Sequence, residues 1–228
     1  MTASIANLFV RGARYLKCYG ELTFGERPCT PEEAVDFCVD SPVMMTQVRS
    51  EVLELGRLIQ SAKPKRSLEI GTAYGGTLFL LCALSPADAR IISVDLRGGQ
   101  FGGGYPRRKI PLYRKFPRNG QELQLIQDDS HTLETKNQVL RILKGEQLDY
   151  LFIDGDHSYA GVKKDFEMYA PLVRSGGMVA FHDIAEHNPE AACEVAKFWN
   201  EIKRRFSHRE IIEDLKQGWA GLGILTVP

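Results

Sequence analysis

The stretch Leu151–Ile184, with the sequence LFIDGDHSYAGVKKDFEMYAPLVRSGGMVAFHDI, decides the fold predicted for this chain. An apolar run at its start is stopped by Asp154 and His157, and a second apolar run is stopped by His182 and Asp183. Between them, apolar side chains recur at helical spacing, which predicts a strand–helix–strand unit with two buried parallel strands. Because the crossover returns the chain in the same direction, both strands end at one edge of the sheet. We therefore expect these four polar side chains to converge.

The segments on either side repeat the pattern. Three upstream apolar runs end in a glycine-rich turn, in Asp95 and in Asp129, and 222–225 reads as a closing strand. Gly176 and Gly177 are predicted to separate the helix from the strand that follows it. The alternation of strands and helices predicts a doubly wound, Rossmann-like α/β domain.

The predicted division of the chain is a helical arm over 1–64 followed by a sheet domain over 65–228. Thr30 and Pro31 supply a hydroxyl cap and a first-turn proline for one helix of the arm. The arm is expected to pack on the sheet or to form a homodimer contact, and a lid over the substrate is the alternative.

Composition narrows the class of protein. The chain has 228 residues, 43% hydrophobic and 25% charged, with a formal net charge of zero, which is typical of a globular protein and disfavours a nucleic-acid partner. No apolar run is long enough to cross a bilayer, and no signal peptide is recognisable. The number of cysteines is five, with no metal-binding spacing, so we expect a reducing, cytoplasmic location without disulfides.

The glycine turn after the first strand indicates the kind of cofactor. Gly71 and Gly76 fit the dinucleotide fingerprint, but its middle glycine is replaced by Ala73. Glu69, on the strand just before the turn, would repel a pyrophosphate and suits a cationic ligand. S-adenosylmethionine, which carries a sulfonium and an ammonium group, is such a ligand.

Acidic strand ends complete the predicted cofactor site. A carboxylate at Asp95 suits the two ribose hydroxyls, and Asp129 with Ser130 is expected beside the adenine. Tight packing of a helix on a strand is the alternative explanation for the glycines. The predicted cofactor-binding residues are Glu69, Gly71, Thr72, Ala73, Tyr74, Gly75, Asp95, Asp129, Ser130 and Asp154.

These motifs carry a resemblance to a known family. LEIGTAYGG, ISVDL, DDSH, IDGDHSY with the following GG and HDI, and the closing GLGIL span about Leu68 to Leu225. Over that range the chain resembles class I S-adenosylmethionine-dependent methyltransferases, in the group that includes cephalosporin-hydroxylase-like proteins and macrolide-sugar O-methyltransferases. The resemblance implies a seven-stranded sheet with an antiparallel last strand and a divalent metal at the ends of strands four and five.

Methyl transfer requires a nucleophile held in line with the sulfonium and a group that takes its proton. By the resemblance, Asp154 and Asp183 hold Mg²⁺ or Mn²⁺ and His157 is the base, so His157 and Asp154 are the predicted catalytic residues. His182 stands where those enzymes have a glutamate, and an imidazole ligand favours softer ions such as manganese, iron or zinc. Helix capping by Asp154 and a purely structural His157 are the alternatives.

A basic, glycine-rich insert over 97–120 interrupts the domain beside the expected cofactor site. It mixes arginines, among them Arg107 and Arg108, with aromatic residues, among them Phe101 and Tyr105. We expect either a mobile lid that favours an anionic or glycosylated acceptor, or a solvated loop that packs its aromatics. Single-stranded nucleic acid is a weaker alternative.

The sequence therefore predicts an enzyme that transfers a methyl group from S-adenosylmethionine to a small-molecule hydroxyl with help from a divalent metal. A protein that binds the cofactor without catalysis, an NAD(P)-dependent oxidoreductase and an iron hydroxylase are the alternatives. His131 and His208 are expected in solvent, and the role of His187 is left open.

Overall fold

A computed structural model describes residues 2–39, 41–98, 105 and 108–228. Its helices precede, connect and follow the strands of one sheet. The helices are α1 (Thr2–Phe24), α2 (Pro31–Val39), α3 (Arg49–Ala62), α4 (Gly76–Leu84), α5 (Ile110–Tyr113), α6 (Leu133–Leu143), α7 (Tyr159–Tyr169) and α8 (Val195–Ile202). The strands are β1 (Arg66–Ile70), β2 (Arg90–Asp95), β3 (Glu122–Gln127), β4 (Leu148–Ile153), β5 (Val173–His182), β6 (Ser207–Ile211) and β7 (Leu222–Thr226).

The seven strands form a single sheet in the order β3-β2-β1-β4-β5-β7-β6. β1 pairs in parallel with β2 and β4, and β4 pairs in parallel with β5. β7 alone runs against its neighbours on both sides. The predicted α/β class, the seven strands and the antiparallel last strand are confirmed. The chain reverses its strand order at β1 and β4, where a doubly wound sheet opens a crevice for ligands.

Both faces of the sheet are covered. One buried cluster contains the arm, α4 and the described part of the insert, with Phe37 of the arm stacked 4.6 Å from Phe79 between ring centroids. The second cluster lies on the opposite face and includes side chains from α6, α7 and α8. The arm and the sheet therefore share one core. The division of the chain into two parts at residue 64 stays a prediction.

One boundary differs from the prediction. α7 ends at Tyr169, and β5 begins at Val173, before the two glycines. Pro171 has no amide hydrogen and ends the helix earlier than the glycines would. Gly176, at a φ of +72°, then allows an irregular strand rather than separating it from the helix.

None of the helices in the described ranges has an apolar stretch long enough for a membrane crossing.

Candidate functional site

A cavity of about 680 Å³ lies along the carboxyl edge of the sheet. Its walls come from the ends of β1 to β5, from the segments that precede α3 and α8, and from the segment that leads into β7. The predicted site residues that line it are Gly71, Ala73, Asp95, Asp129, Ser130, Asp154, His157, His182 and Asp183. The four groups expected to converge from β4 and β5 are therefore in one cavity, together with the acids that follow β2 and β3.

The glycine turn is held against two neighbouring strands. Gly71 has a φ of +86°, and a Cβ atom placed on it would lie 1.9 Å from the carbonyl oxygen of Asp154. Oδ2 of Asp95 accepts hydrogen bonds from the backbone amides of Thr72 (2.8 Å) and Ala73 (2.9 Å). The turn needs glycine at this contact, and Asp95 fixes the turn while its side chain lines the cavity.

Glu69 stabilises the glycine turn through hydrogen bonds. Its carboxylate is fully buried and accepts hydrogen bonds from the hydroxyls of Thr72 (2.8 Å), Ser93 (3.2 Å) and Thr77. Burial raises the pKa of Glu69 to about 7, although the three hydroxyls act in the opposite direction. Glu69 and Thr72 are not among the residues lining the cavity, so their contact with a cofactor stays a prediction.

Tyr74 and Gly75 also lie outside the lining of the cavity. The Lys109 ammonium lies 4.5 Å from the centre of the Tyr74 ring. A Cβ atom on Gly75 would meet the Tyr113 ring at 2.6 Å, so this glycine allows the insert to approach the turn closely. Direct binding of a cofactor by these two residues is likewise a prediction.

The β4 and β5 ends carry an alternating cluster of imidazoles and carboxylates. Nδ1 of His182 lies 3.3 Å from Oδ1 of Asp154 and 3.2 Å from Oδ2 of Asp183. The ring of His157 bridges the same two carboxylates, with Nε2 3.4 Å from Asp154 and Nδ1 3.4 Å from Asp183. The exposed side-chain fractions of these four groups are at most 16%.

The carboxylates determine the protonation of the cluster. Burial alone would lower the pKa of His182 and of His157, but Asp154 and Asp183 outweigh it and raise both. Burial would raise the pKa of each carboxyl, and the neighbouring imidazoles reverse this and lower both. The groups therefore favour charged carboxylates beside imidazoles that accept protons readily.

The donor set fits a divalent cation. The donor atoms of Asp154, His182 and Asp183 all lie within 4.8 Å of one another. Neighbouring ligands on one ion, bound at about 2.1 Å, are separated by about 3 Å, which is close to the distances in this cluster. Nε2 of His182 is buried without a hydrogen-bond partner among the described residues, so no hydrogen bond at this nitrogen competes with the contacts at Nδ1.

Sequence reasoning missed several residues near the cluster. The Gln47 amide, on the segment before α3, donates to Oδ2 of Asp154 at 3.2 Å. Nε2 of His187 lies 3.0 Å from Oδ1 of Asp183, and Cys193 and Trp219 also line the cavity. Burial raises the pKa of Cys193 to about 11, which keeps it a thiol. The role of His187 was left open from the sequence, whereas no local pattern marks Gln47, Cys193 or Trp219.

The expectation for His131 was wrong. Its side chain is 19% exposed and lines the cavity, with Nε2 3.3 Å from Oδ1 of the fully buried Asp165. The nearby Asp165 carboxylate raises the pKa of His131 more than burial lowers it. Asp165, the acid that contacts this imidazole, lies on α7, 34 residues further along the chain. His208 is exposed, as expected.

The described part of the insert is anchored by its aromatic residues. Tyr105, Tyr113 and Phe116 are at most 1% exposed and belong to the core on one face of the sheet. Arg107 and Phe101 lie outside the described residues. These three rings therefore pack in the core, as expected for a loop that packs its aromatic residues. A lid over the substrate remains a prediction.

The chain matches a family model described as a methyltransferase domain over residues 68–184. Its curated relatives include an uncharacterized protein of Sinorhizobium fredii (29% identical; 64% of this chain, 16% of the relative), one of Acanthamoeba polyphaga mimivirus (38%; 53% and 52%) and a caffeoyl-CoA O-methyltransferase of Populus kitakamiensis (26%; 56% and 50%). The matched region thus spans about half or less of the length of these relatives.

Solved structures share the fold. An O-methyltransferase from Bacillus cereus in complex with S-adenosylhomocysteine matches with a TM-score of 0.58 at 18% identity, covering 92% of this chain and 96% of that one. The O-methyltransferase TomG from Streptomyces achromogenes, with its cofactor, gives 0.57 at 18% identity (92% and 95%). The MycE methyltransferase of mycinamycin biosynthesis, with Mg and S-adenosylhomocysteine, gives 0.55 at 16% identity (88% and 55%).

The family model covers more than half of the chain, from the first residues of β1 to the end of the cluster after β5. The strand order, with its antiparallel β7, is the arrangement expected from the resemblance. The chain therefore belongs to the methyltransferase domain family, within the class I S-adenosylmethionine-dependent methyltransferases.

Proposed function

We propose that this protein is an O-methyltransferase that moves a methyl group from S-adenosylmethionine to a hydroxyl of a small molecule, assisted by a divalent metal. The observation that carries the proposal is a single cavity. It contains Asp95 and Asp129 towards one end and the cluster of His157 and Asp183 towards the other. The cationic cofactor would thus lie next to the group that deprotonates the acceptor.

The cofactor end suits a positively charged nucleoside. Asp95 and Asp129 would accept hydrogen bonds from the ribose and the adenine amine, and Ser130 lies beside them. The carboxylates attract the sulfonium and ammonium groups, whereas they would repel the pyrophosphate of a dinucleotide. This charge pattern favours the methyl donor over NAD(P).

His157 is the proposed base. In the reaction the acceptor oxygen forms a bond to the methyl carbon, the carbon–sulfur bond breaks, and the hydroxyl proton passes to His157. Asp154 and Asp183 lie at both ring nitrogens of His157 and stabilise the imidazolium that forms. A cation held by Asp154, His182 and Asp183 would lower the pKa of a hydroxyl bound to it.

The first test is a calorimetric titration with S-adenosylhomocysteine and with NAD⁺. We expect one molecule of S-adenosylhomocysteine to bind per chain and NAD⁺ to give no heat. Transfer of a labelled methyl group to small molecules from a cell extract should then disappear in His157→Ala and persist in His208→Ala, whose side chain is exposed. Binding of the cofactor with no transfer by the unmodified protein would favour the non-catalytic alternative.

The metal is tested separately by electron paramagnetic resonance of Mn²⁺. The imidazole of His182 favours Mn²⁺ over Mg²⁺, so Mn²⁺ should bind more tightly, and His182→Glu should narrow the difference. Asp154→Ala and Asp183→Ala should lose the ion. Unchanged Mn²⁺ binding in both alanine variants would contradict the proposed metal site.

A further inference from the structure

Trp219 is an exposed aromatic side chain at the edge of the cavity. It is 43% exposed and lines the cavity, whereas the other tryptophan, Trp199, is 1% exposed in the core. The mechanism described above does not use Trp219. An indole that is partly open to a cavity can bind a ring by stacking or a cation through its π face.

The segment that carries Trp219 is attached to the arm by a buried carboxylate. Glu51 of α3 is 1% exposed and accepts hydrogen bonds from the amides of Glu213 (3.0 Å) and Gly221 (2.9 Å) and from the side chain of Gln217 (2.8 Å). The same Gln217 amide donates to the carbonyl oxygen of Trp219 at 2.7 Å. Glu51 thus bonds the chain on both sides of the indole.

A second set of contacts places this segment beside the reaction centre. The amides of Asn188 and Ala185 donate to the carbonyl oxygens of Gly218 (3.2 Å) and Ala220 (2.9 Å). Ala220 adopts a φ of +60°, an uncommon backbone conformation for alanine that these contacts maintain. Trp219 is therefore fixed next to the strand-end segment that carries His187.

The strand order gives the direction of the cavity. β3 and β2 carry Asp129 and Asp95, β4 and β5 carry the cluster with Asp154 and Asp183, and β7 follows β5 in the sheet. Trp219 leads into β7, so it lies across the cluster from the acids assigned to the nucleoside. That is the position of a methyl acceptor, since the reacting hydroxyl must be between the donor and the rest of its own molecule.

The charge of the cavity limits the acceptor. Its lining contains several carboxylates, and none of the lining residues within the described ranges is a lysine or an arginine. The imidazoles in the lining already lie beside carboxylates of the protein, so an acceptor with phosphate or carboxylate groups would meet acids without a lysine or an arginine to offset them. A neutral or cationic acceptor is compatible with both the acids and the indole.

We propose that Trp219, positioned by Glu51, forms the ring-binding wall of the acceptor site, and that the acceptor is a hydroxylated ring compound without negative charge. The inference rests on the proposed methyltransferase function, since it assigns the other half of the same cavity. Trp219 is a specificity-determining residue in this account, and Glu51 is a positioning residue.

Three matched probes test the charge and the ring. Tyrosol, tyramine and 4-hydroxyphenylacetate share a phenol ring and differ at the far end, which is neutral, cationic or anionic. Calorimetry on the protein loaded with S-adenosylhomocysteine and Mn²⁺ should show binding of tyrosol and tyramine, with the anion weaker by about tenfold or more. Equal or tighter binding of the anion would overturn the assigned charge, and no binding of tyrosol or tyramine would overturn the assigned ring site.

Two substitutions of Trp219 distinguish the loss of the aromatic ring from a general disturbance of the fold. Trp219→Leu should weaken tyrosol binding by about tenfold, and Trp219→Phe should keep it within about threefold, because a ring is retained. Unchanged tyrosol binding in Trp219→Leu would contradict the proposal. The affinity for S-adenosylhomocysteine should stay the same in both variants, since the nucleoside end of the cavity is untouched.

Glu51→Gln tests the positioning role. It removes the charge that holds two backbone amides, so quenching of Trp219 fluorescence by acrylamide should increase and tyrosol binding should weaken. Unchanged quenching would show that Glu51 does not position Trp219. Failure of the unmodified protein to bind S-adenosylhomocysteine would instead contradict the proposed function, so the two failures are distinguishable.

Discussion

Gly71 is the residue on which the glycine turn depends. Its φ of +86° and the 1.9 Å approach of a Cβ atom to the Asp154 carbonyl leave no room for a side chain. Gly71→Ala should lower the free energy of unfolding by more than about 3 kcal/mol, because both the backbone and a strand end must move. Chemical denaturation followed by circular dichroism measures the loss.

Gly12 is the matched control for this substitution. It lies within α1, and a Cβ atom placed on it would meet nothing within 4 Å. Gly12→Ala should raise stability by up to about 1 kcal/mol through helix propensity. A Gly71→Ala protein as stable as Gly12→Ala would show that the turn does not approach β4 as closely as described.

The free energy of unfolding is expected to depend on pH through the protonation of Glu69. Burial raises its pKa to about 7 in the folded protein, so the folded state binds this proton more tightly than the unfolded state. The contribution is fully present below the ordinary pKa of a glutamate and is lost as the pH rises through about 7. The full effect is roughly 3 kcal/mol, lost between about pH 4.5 and pH 8.

Glu69→Gln isolates this contribution, because glutamine has a similar shape and does not titrate. Compared with the variant, the unmodified protein should lose about 2 to 3 kcal/mol of relative stability from pH 5 to pH 8. Urea denaturation at several pH values measures the difference. A difference that stays constant with pH would mean that Glu69 does not hold a shifted proton.

Individual residues also show what the sequence could predict about the site. Asp154, His157, His182 and Asp183 were expected together because parallel strands must end at one edge, and they lie within 3.2–3.4 Å contacts. Glu51 was not expected at the site. Its partners are more than 160 residues away in the chain, a contact that no local pattern contains.

At the scale of the element, α6 depends on its first turn. Thr132 caps the helix by accepting a hydrogen bond from the Thr135 amide at 3.1 Å, directly after the cavity residues Ser130 and His131. Thr132→Ala should lower the free energy of unfolding by about 1 kcal/mol, and Thr132→Ser should restore most of it. Equal stability of the alanine and serine variants in urea would show that the cap contributes nothing.

The elements themselves were largely predictable, since buried parallel strands and amphipathic helices leave clear apolar patterns. The failure at β5 has a physical cause. The early end of α7 has a local cause, since Pro171 has no amide hydrogen, whereas the irregular strand around Gly176 depends on pairing with β4, whose register shifts between Leu148 and Tyr150. Pairing of this kind cannot be read from a single segment.

At the scale of the whole molecule, the arm and the sheet form one core. Val35, Leu55 and Ile59 of the arm are at most 3% exposed and belong to the same buried cluster as α4. A chain shortened to 65–228 would expose the face that they cover, so it should show no cooperative unfolding transition on heating. A control that lacks only 2–13, of which residues 10–13 are exposed, should retain the transition. A cooperative transition in 65–228 would make the arm a separate unit.

We propose that one cavity holds the methyl donor between the acids at the ends of β2 and β3 and the cluster at the ends of β4 and β5. A crystal structure of the protein with S-adenosylhomocysteine tests it most directly. We expect the adenine beside Asp129 and Ser130, the ribose at Asp95, and the sulfur directed at His157. A ligand bound elsewhere on the molecule, or one whose sulfur points away from His157, would contradict it.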